Sequence, residues 1–237
     1  MKPLEIKKFV PLSCVDWDGK VSAVAFLPHC NFRCPFCYNT DLVLNSESLE
    51  TESFEKIKKQ LGRSKGWLDG VVITGGEPTL NHGLPSFCMK IKELGLGVKL
   101  DTNGTNPDML QRLIEEKLVD YVALDVKAPL NSLSYSRAVG VDAAVFVVEV
   151  EKTVQFLLEA SDEYEFRTTL VPTIHNEEDL KQICNKIEGC KKYVLQKFVG
   201  DMKTIDPGFS NVRPFSDAEM EGFLQLARKS VPSTILR

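Results

Sequence analysis

The chain has 237 residues, 43% of them hydrophobic and 26% charged, with a formal charge of −4, the balance of a globular protein large enough to bury a full core. No apolar run is long enough to span a bilayer, and no basic run exceeds a lysine pair such as Lys191 and Lys192, so neither a membrane nor nucleic acid is an expected partner. The seven cysteines, an odd number in so long a chain, suit metal ligation or buried thiols in a reducing cytosol better than a disulfide scaffold.

The opening MKPLEIKKFVPLS lacks the apolar stretch and cleavage site of a signal peptide, and the expected location is the cytoplasm. The first strand is read in VSAVAFLP from Val21, the second in VVITGG from Val71 and the third in VKLDTNG from Val98, each an apolar, β-rich run. Asn106 and Pro107 then open a helix whose Leu110, Leu113, Ile114 and Leu118 share a face. Strands four and five follow in YVALDVK from Tyr121 and EFRTTLVP from Glu165. A helix starts after Asn176, with Glu177, Glu178 and Asp179 in its first turn and Leu180, Ile183, Cys184 and Ile187 inward. KYVLQKF from Lys192 is the sixth strand, the stretch from Gly200 to Pro214 a long loop, and Ser216 with Glu219 a capping box that starts the last helix.

Strands alternating with helices imply a parallel sheet, because each right-handed crossover needs a helix to return the chain to the same end. Polar residues stand at the C-terminal ends of nearly all six strands, which favours a curved, partial (β/α)6 TIM-like barrel over an open sheet. The expected organisation is α/β, a single domain over 1–237 with its core at about 12–198 and a C-terminal loop and helix at 199–237.

After the first strand, HCNFRCPFCYN places Cys30, Cys34 and Cys37 in a CxxxCxxC spacing. Such a loop wraps one metal centre, an iron-sulfur cluster or a structural zinc closed by a distant ligand such as His29 or Cys14. A 4Fe-4S cluster held by three cysteines leaves one iron open to a substrate or cofactor, so the missing fourth ligand points to chemistry rather than electron storage.

The second strand runs into Gly75, Gly76, Glu77 and Pro78; glycines there read either as a tight turn or as a place where a ligand approaches the backbone. The third strand ends in Asp101, Thr102, Asn103 and Gly104 and the fourth in Asp125, Val126 and Lys127. Asp125 and Lys127, two apart on a strand, point to one side and suit either a zwitterionic amino-acid ligand or a structural ion pair. Arg167 on the fifth strand adds a charge that burial would oblige to find a partner.

Together, the CNFRCPFC triplet, GGEP, and the LDTNG and LDVK strand ends resemble the radical S-adenosylmethionine (SAM) superfamily over about Leu12 to Phe198. Within it the chain is most similar to the glycyl-radical-enzyme activating branch: the activating proteins of anaerobic ribonucleoside-triphosphate reductase and, more distantly, the pyruvate formate-lyase activating enzyme. The resemblance implies a 4Fe-4S cluster on Cys30, Cys34 and Cys37, with SAM chelating the fourth iron. It further implies reductive cleavage of SAM to a 5′-deoxyadenosyl radical, a glycine of a partner enzyme as hydrogen donor, and a low-potential electron donor such as flavodoxin or ferredoxin. By the same matching, Gly75, Gly76 and Glu77 line the amino-acid end of SAM, Phe36 lies near adenine, Lys127 meets the carboxylate and Arg167 faces the cofactor. Asp101, Thr102 and Asp125 match a monovalent-cation site. The chain departs from the branch in having Tyr38 where histidine is common, His29 where glycine is common, Asp18 in place of a turn proline, and Gln196 and Phe198 where a more polar adenine contact is usual.

Cys88, with Leu84, Phe87 and Ile91, and Cys184 on its helix read as small buried hydrophobes. With Cys14 and Cys190 they do not make a second cluster, and His82 and His175 are expected in loops without a metal role. Two rivals to an activating enzyme are a radical enzyme with another small-molecule or macromolecular substrate, and a zinc or iron-sulfur binding protein without turnover.

Overall fold

The computed structural model describes residues 4–64, 66–160 and 163–237. The chain divides into two compact units built from interleaved stretches, Met1–Asn31, Asn39–Thr102 and Asp108–Val122 in the first, and Phe32–Tyr38, Asn103–Pro107 and Ala123–Arg237 in the second.

In the first unit, β1 (Lys8–Ser13) pairs antiparallel with β2 (Ser22–Leu27), and β3 (Gly70–Gly75) and β4 (Gly97–Thr102) continue the sheet in parallel, Ser22 beside Gly70 and Gly70 beside Gly97. Nearly every residue of β2 is buried, the signature of a parallel strand covered on both faces. The connections carry α1 (Thr40–Leu44), α2 (Phe54–Arg63), α3 (Leu84–Glu93) and α4 (Pro107–Glu115). Helix α2 starts where Ser53 accepts the Lys56 N–H, and α3 turns Leu84, Phe87, Cys88 and Ile91 inward, as their spacing predicts. The start of β5 (Tyr121–Asp125) follows β4, the Asp120 N–H donating to the Val98 carbonyl at 2.8 Å.

In the second unit, the end of β5 runs beside β6 (Tyr164–Leu170): the Val126 N–H donates to the Arg167 carbonyl at 2.8 Å and the Thr168 hydroxyl to the Val126 carbonyl at 2.8 Å. Helices α5 (Ser132–Val139) and α6 (Ala144–Glu159) precede β6; α7 (Glu177–Lys186), β7 (Tyr193–Lys197), α8 (Asp217–Arg228) and β8 (Thr234–Leu236) follow, with β6, β7 and β8 parallel. The three expected helix starts are present: α4 begins at Pro107, and Asn176 with Asp179, and Ser216 with Glu219, form reciprocal capping boxes. The buried Glu165 of β6 is held by Arg237 at 3.2 Å and Lys192 at 3.1 Å.

The six expected strands are β2 to β7, and the structure adds two. Strand β1 is half-exposed and contains Pro11, which a strand tolerates at an edge because proline donates no ladder hydrogen bond. Strand β8 is three residues long. No helix among the described residues is long and apolar enough to cross a membrane.

Candidate active site

The first unit brings the GGEP segment to the start of the cysteine loop. The Gly76 N–H donates to the Leu27 carbonyl at 2.9 Å and the Glu77 N–H to the His29 carbonyl at 2.7 Å. A Cβ on Gly76 would stand 1.9 Å from the His29 oxygen, and one on Gly75, whose φ is +117°, 2.4 Å from the Leu27 oxygen. The protein's own backbone therefore occupies the space that the two missing side chains leave, and the glycines seat β3 against the loop that leads to Cys30. His29 has φ +65°, a left-handed conformation in which histidine is less comfortable than glycine. Its ring lies 3.3 Å from the Ser46 hydroxyl. Asn39, just past the cysteine loop, donates from Nδ2 to the Gly75 carbonyl at 2.8 Å.

Glu77 is 1% exposed. Its Oε1 accepts the Thr79 N–H at 3.0 Å, the Thr79 hydroxyl at 2.6 Å and the Thr102 hydroxyl at 2.7 Å, so the end of β4 and the turn after β3 aim one carboxylate. Asp101 lies 3.6 Å from the ammonium of Lys99 on the same strand.

The second unit gathers Cys34, Phe36, Cys37, Asp125, Lys127 and Arg167. Asp125 Oδ2 takes the Lys127 ammonium at 2.8 Å and Oδ1 the Arg167 Nε at 2.7 Å, so Arg167 has the partner that burial demands. Burial works against the Asp125 charge, but Arg167 and Lys127 overcome it and hold the carboxyl well below the ordinary range. For Lys127, burial is likewise outweighed, first by Asp125 and then by the Cys34 thiol, and its pKa lies above the ordinary value. Tyr38 is pushed up by burial, with Lys127 pulling the other way and Cys37 and Asp125 adding to the rise.

Two devices hold this stretch of the cysteine loop. The Arg33 N–H donates to the Val139 carbonyl at 2.8 Å, beside Gly140, whose φ of +69° caps α5 and whose added Cβ would stand 2.2 Å from the Arg33 oxygen. From the other end of the chain, the Ile205 N–H donates to the Cys37 carbonyl at 3.1 Å and the Asp206 N–H to the Pro35 carbonyl at 2.9 Å, while Phe36 rests against Phe209 at 6.5 Å between ring centres. The expected long loop is thus a strap fastened to the cysteine loop.

The radical SAM superfamily matches residues 24–187, most of the chain and all three cysteines. A Methanocaldococcus jannaschii protein named as a candidate glycyl-radical enzyme activating enzyme is 32% identical over the whole chain and 97% of its own length. The chain belongs to the radical SAM superfamily. It is therefore an enzyme of radical SAM type, and the family brings with it a 4Fe-4S cluster and SAM. Solved structures show the radical SAM fold, an α/β, partial TIM-barrel-like architecture. A radical SAM methyltransferase from Sphaerobacter thermophilus matches with a TM-score of 0.72 at 16% identity, covering 93% of this chain and 67% of the other. A domain of the pyruvate-formate lyase-activating enzyme from Bacteroides vulgatus matches with 0.56 at 15%, covering 71% of this chain and 98% of the other.

The donor set suits a radical SAM cluster. Three thiols within eight residues are soft ligands of the kind that bind iron-sulfur centres. Among the described residues no three His, Cys, Asp or Glu side chains are gathered to hold a single metal ion, and the cysteines qualify as cluster ligands by their chemistry and spacing. The remaining cysteines behave differently: burial pushes Cys88 and Cys184 up to about 12 and Cys190 up to about 11, while Cys14 is exposed.

His175 lies in a loop as expected, yet it is buried and structured. Nδ1 accepts the Val171 N–H at 3.0 Å and Nε2 stands 2.8 Å from the Lys127 carbonyl, which assigns the proton to Nε2. Burial pushes its pKa down, so a neutral imidazole fixes the backbone of Lys127. Spacing gave no sign of this, because the contact spans 48 positions. The same holds for Lys99, whose ammonium reaches the Asp16 carbonyl, and for Phe209, which rests against Phe36.

Proposed function

We propose that this chain is an activating enzyme that installs a glycyl radical on a partner, with anaerobic ribonucleoside-triphosphate reductase as that partner. What supports the partner class is the full-length M. jannaschii relative and its name. The observation that carries the radical chemistry is the cysteine loop itself, three thiols in a CxxxCxxC spacing that the strap holds by main-chain hydrogen bonds at Pro35 and Cys37.

Cys30, Cys34 and Cys37 are proposed as the three cluster ligands, leaving one iron for the amino and carboxylate groups of SAM. Bound there, the cluster would supply the electron for reductive cleavage of SAM, with the partner's glycine as the hydrogen donor. The residues' part is to bind and orient. Lys127 meets the carboxylate of SAM, and Arg167, sharing Asp125 with it, keeps the lysine extended. Glu77, aimed by Thr79 and Thr102, serves the ammonium, and the Gly75–Gly76 backbone lies along the same end. Phe36, seated on Phe209, lies near adenine. The chain acts as one domain in the cytoplasm and draws electrons from a flavodoxin or ferredoxin.

The test is an anaerobic mixture of reconstituted protein, reductant, SAM and the candidate reductase. A glycine-centred radical signal by electron paramagnetic resonance is expected. Formation of 5′-deoxyadenosine without that signal transfers the chemistry to another substrate, and no 5′-deoxyadenosine at all removes the enzymatic reading.

A further inference from the structure

The pairing of β5 with β6 stops one residue short of Lys127. Val126 still takes part, its N–H donating to the Arg167 carbonyl at 2.8 Å and its carbonyl accepting the Thr168 hydroxyl at 2.8 Å. Lys127, past the end of the strand, has its main chain held by side chains instead. Its N–H faces the hydroxyl of the fully buried Tyr135, on α5, at 3.5 Å. Its carbonyl stands 2.8 Å from Nε2 of His175, in the turn after β6.

That turn is shaped to present the ring. His175 is 5% exposed; its Nδ1 accepts the Val171 N–H at 3.0 Å, and its own N–H returns to the Val171 carbonyl at 2.9 Å. Arg137 of α5 donates to the neighbouring Ile174 carbonyl at 2.7 Å. Thr173 has φ +74°, a left-handed conformation that a β-branched residue keeps only where its surroundings enforce it. Accepting on one nitrogen and donating from the other requires a neutral imidazole, which burial favours. All of these residues belong to the second unit. The ammonium of Lys127 is tied to Asp125 at 2.8 Å and its main chain to His175, so the side chain is fixed from both ends and offers a ligand carboxylate a preorganised cation.

We propose that His175 is a positioning residue for SAM binding, acting through the main chain of Lys127 rather than by contact with the cofactor. The inference rests on the reading of Lys127 as the partner of the SAM carboxylate.

Equilibrium dialysis of labelled SAM against the reconstituted, unreduced protein tests it, together with 5′-deoxyadenosine formation at saturating SAM. His175→Asn keeps an oxygen for the Val171 N–H but is too short to reach the Lys127 carbonyl, whereas His175→Gln places an amide donor near the position of Nε2. His175→Asn should weaken SAM binding by about tenfold while the rate at saturating SAM stays within about threefold, and His175→Gln should recover most of the affinity. In a Lys127→Ala background the asparagine should weaken binding no further, because the two residues act as one. An equal loss in both backgrounds overturns the proposal. So does unchanged affinity in His175→Asn when Lys127→Ala binds SAM less tightly. Unchanged affinity in Lys127→Ala itself refutes the carboxylate assignment, and this inference falls with it. Should His175→Asn not fold, His175→Phe, which fills the site without a donor, is read the same way; if neither folds, the role of His175 is structural and the proposal fails.

Discussion

Glu77 and Asp125 are both carboxylates at the ends of central strands, and the two units hold them by opposite means. Three neutral donors, two hydroxyls and a main-chain N–H, converge on one oxygen of Glu77. Asp125 gives one oxygen to an ammonium and the other to a guanidinium. Neutral donors fix direction and can be lost one at a time for a modest cost each. An ion-paired group fails abruptly, because removing one member strands the charges of the others. Graded behaviour is therefore expected around Glu77, and pH-sensitive, all-or-none behaviour around Asp125.

The largest effect sharpens the contrast between cysteines. Cys34→Ala should lose the cluster and reduce 5′-deoxyadenosine formation by about a thousandfold or more, whereas Cys184→Ala, which alters a thiol that burial makes inert, should keep its full iron content and visible absorption. Equal iron in both variants would break the assignment of the loop.

Asp125→Asn comes next. It leaves Lys127 and Arg167 facing a neutral amide and should cost roughly 3 kcal/mol by denaturant unfolding. The folded pKa of Asp125 lies below its unfolded value of about 4. Its contribution is therefore fully present above about pH 4 and is lost as the pH falls below that. The variant should show a flatter acid limb in stability against pH, and an unchanged limb would contradict the ion-pair account. Thr102→Val, by contrast, removes one of three donors from Glu77 and should cost about 1–2 kcal/mol, with no change in the acid limb.

Much of the fold could be read from the residues because β2 to β7 are apolar, β-rich runs separated by helices with clear starts at Pro107, Asn176 and Ser216. Strand β1 escaped notice because an edge strand with a proline and polar neighbours has no such signature. In the site, the cysteines and the strand-end charges announced themselves by spacing. The glycines of GGEP did so for an incomplete reason, since what approaches them is the chain's own backbone at Leu27 and His29. Lys99 and His175 acquire their roles only from long-range partners, Asp16 and Lys127, which no local pattern encodes.

The smallest effect concerns His29, where the chain holds a histidine at φ +65°. Glycine would relieve the strain but loosen the unfolded chain and lose the contact with Ser46. His29→Gly should stay within about 1 kcal/mol of the parent by thermal melting and retain its iron. A larger loss would show that the Ser46 contact, rather than the backbone bend, governs this corner of the first unit.

The strap also carries a lesson about timing. The cysteines leave the ribosome well before Ile205, Asp206 and Phe209, which fasten their loop. Until those residues follow, the loop is without its clasp. Iron delivery is therefore best suited to a chain already extended past Phe209.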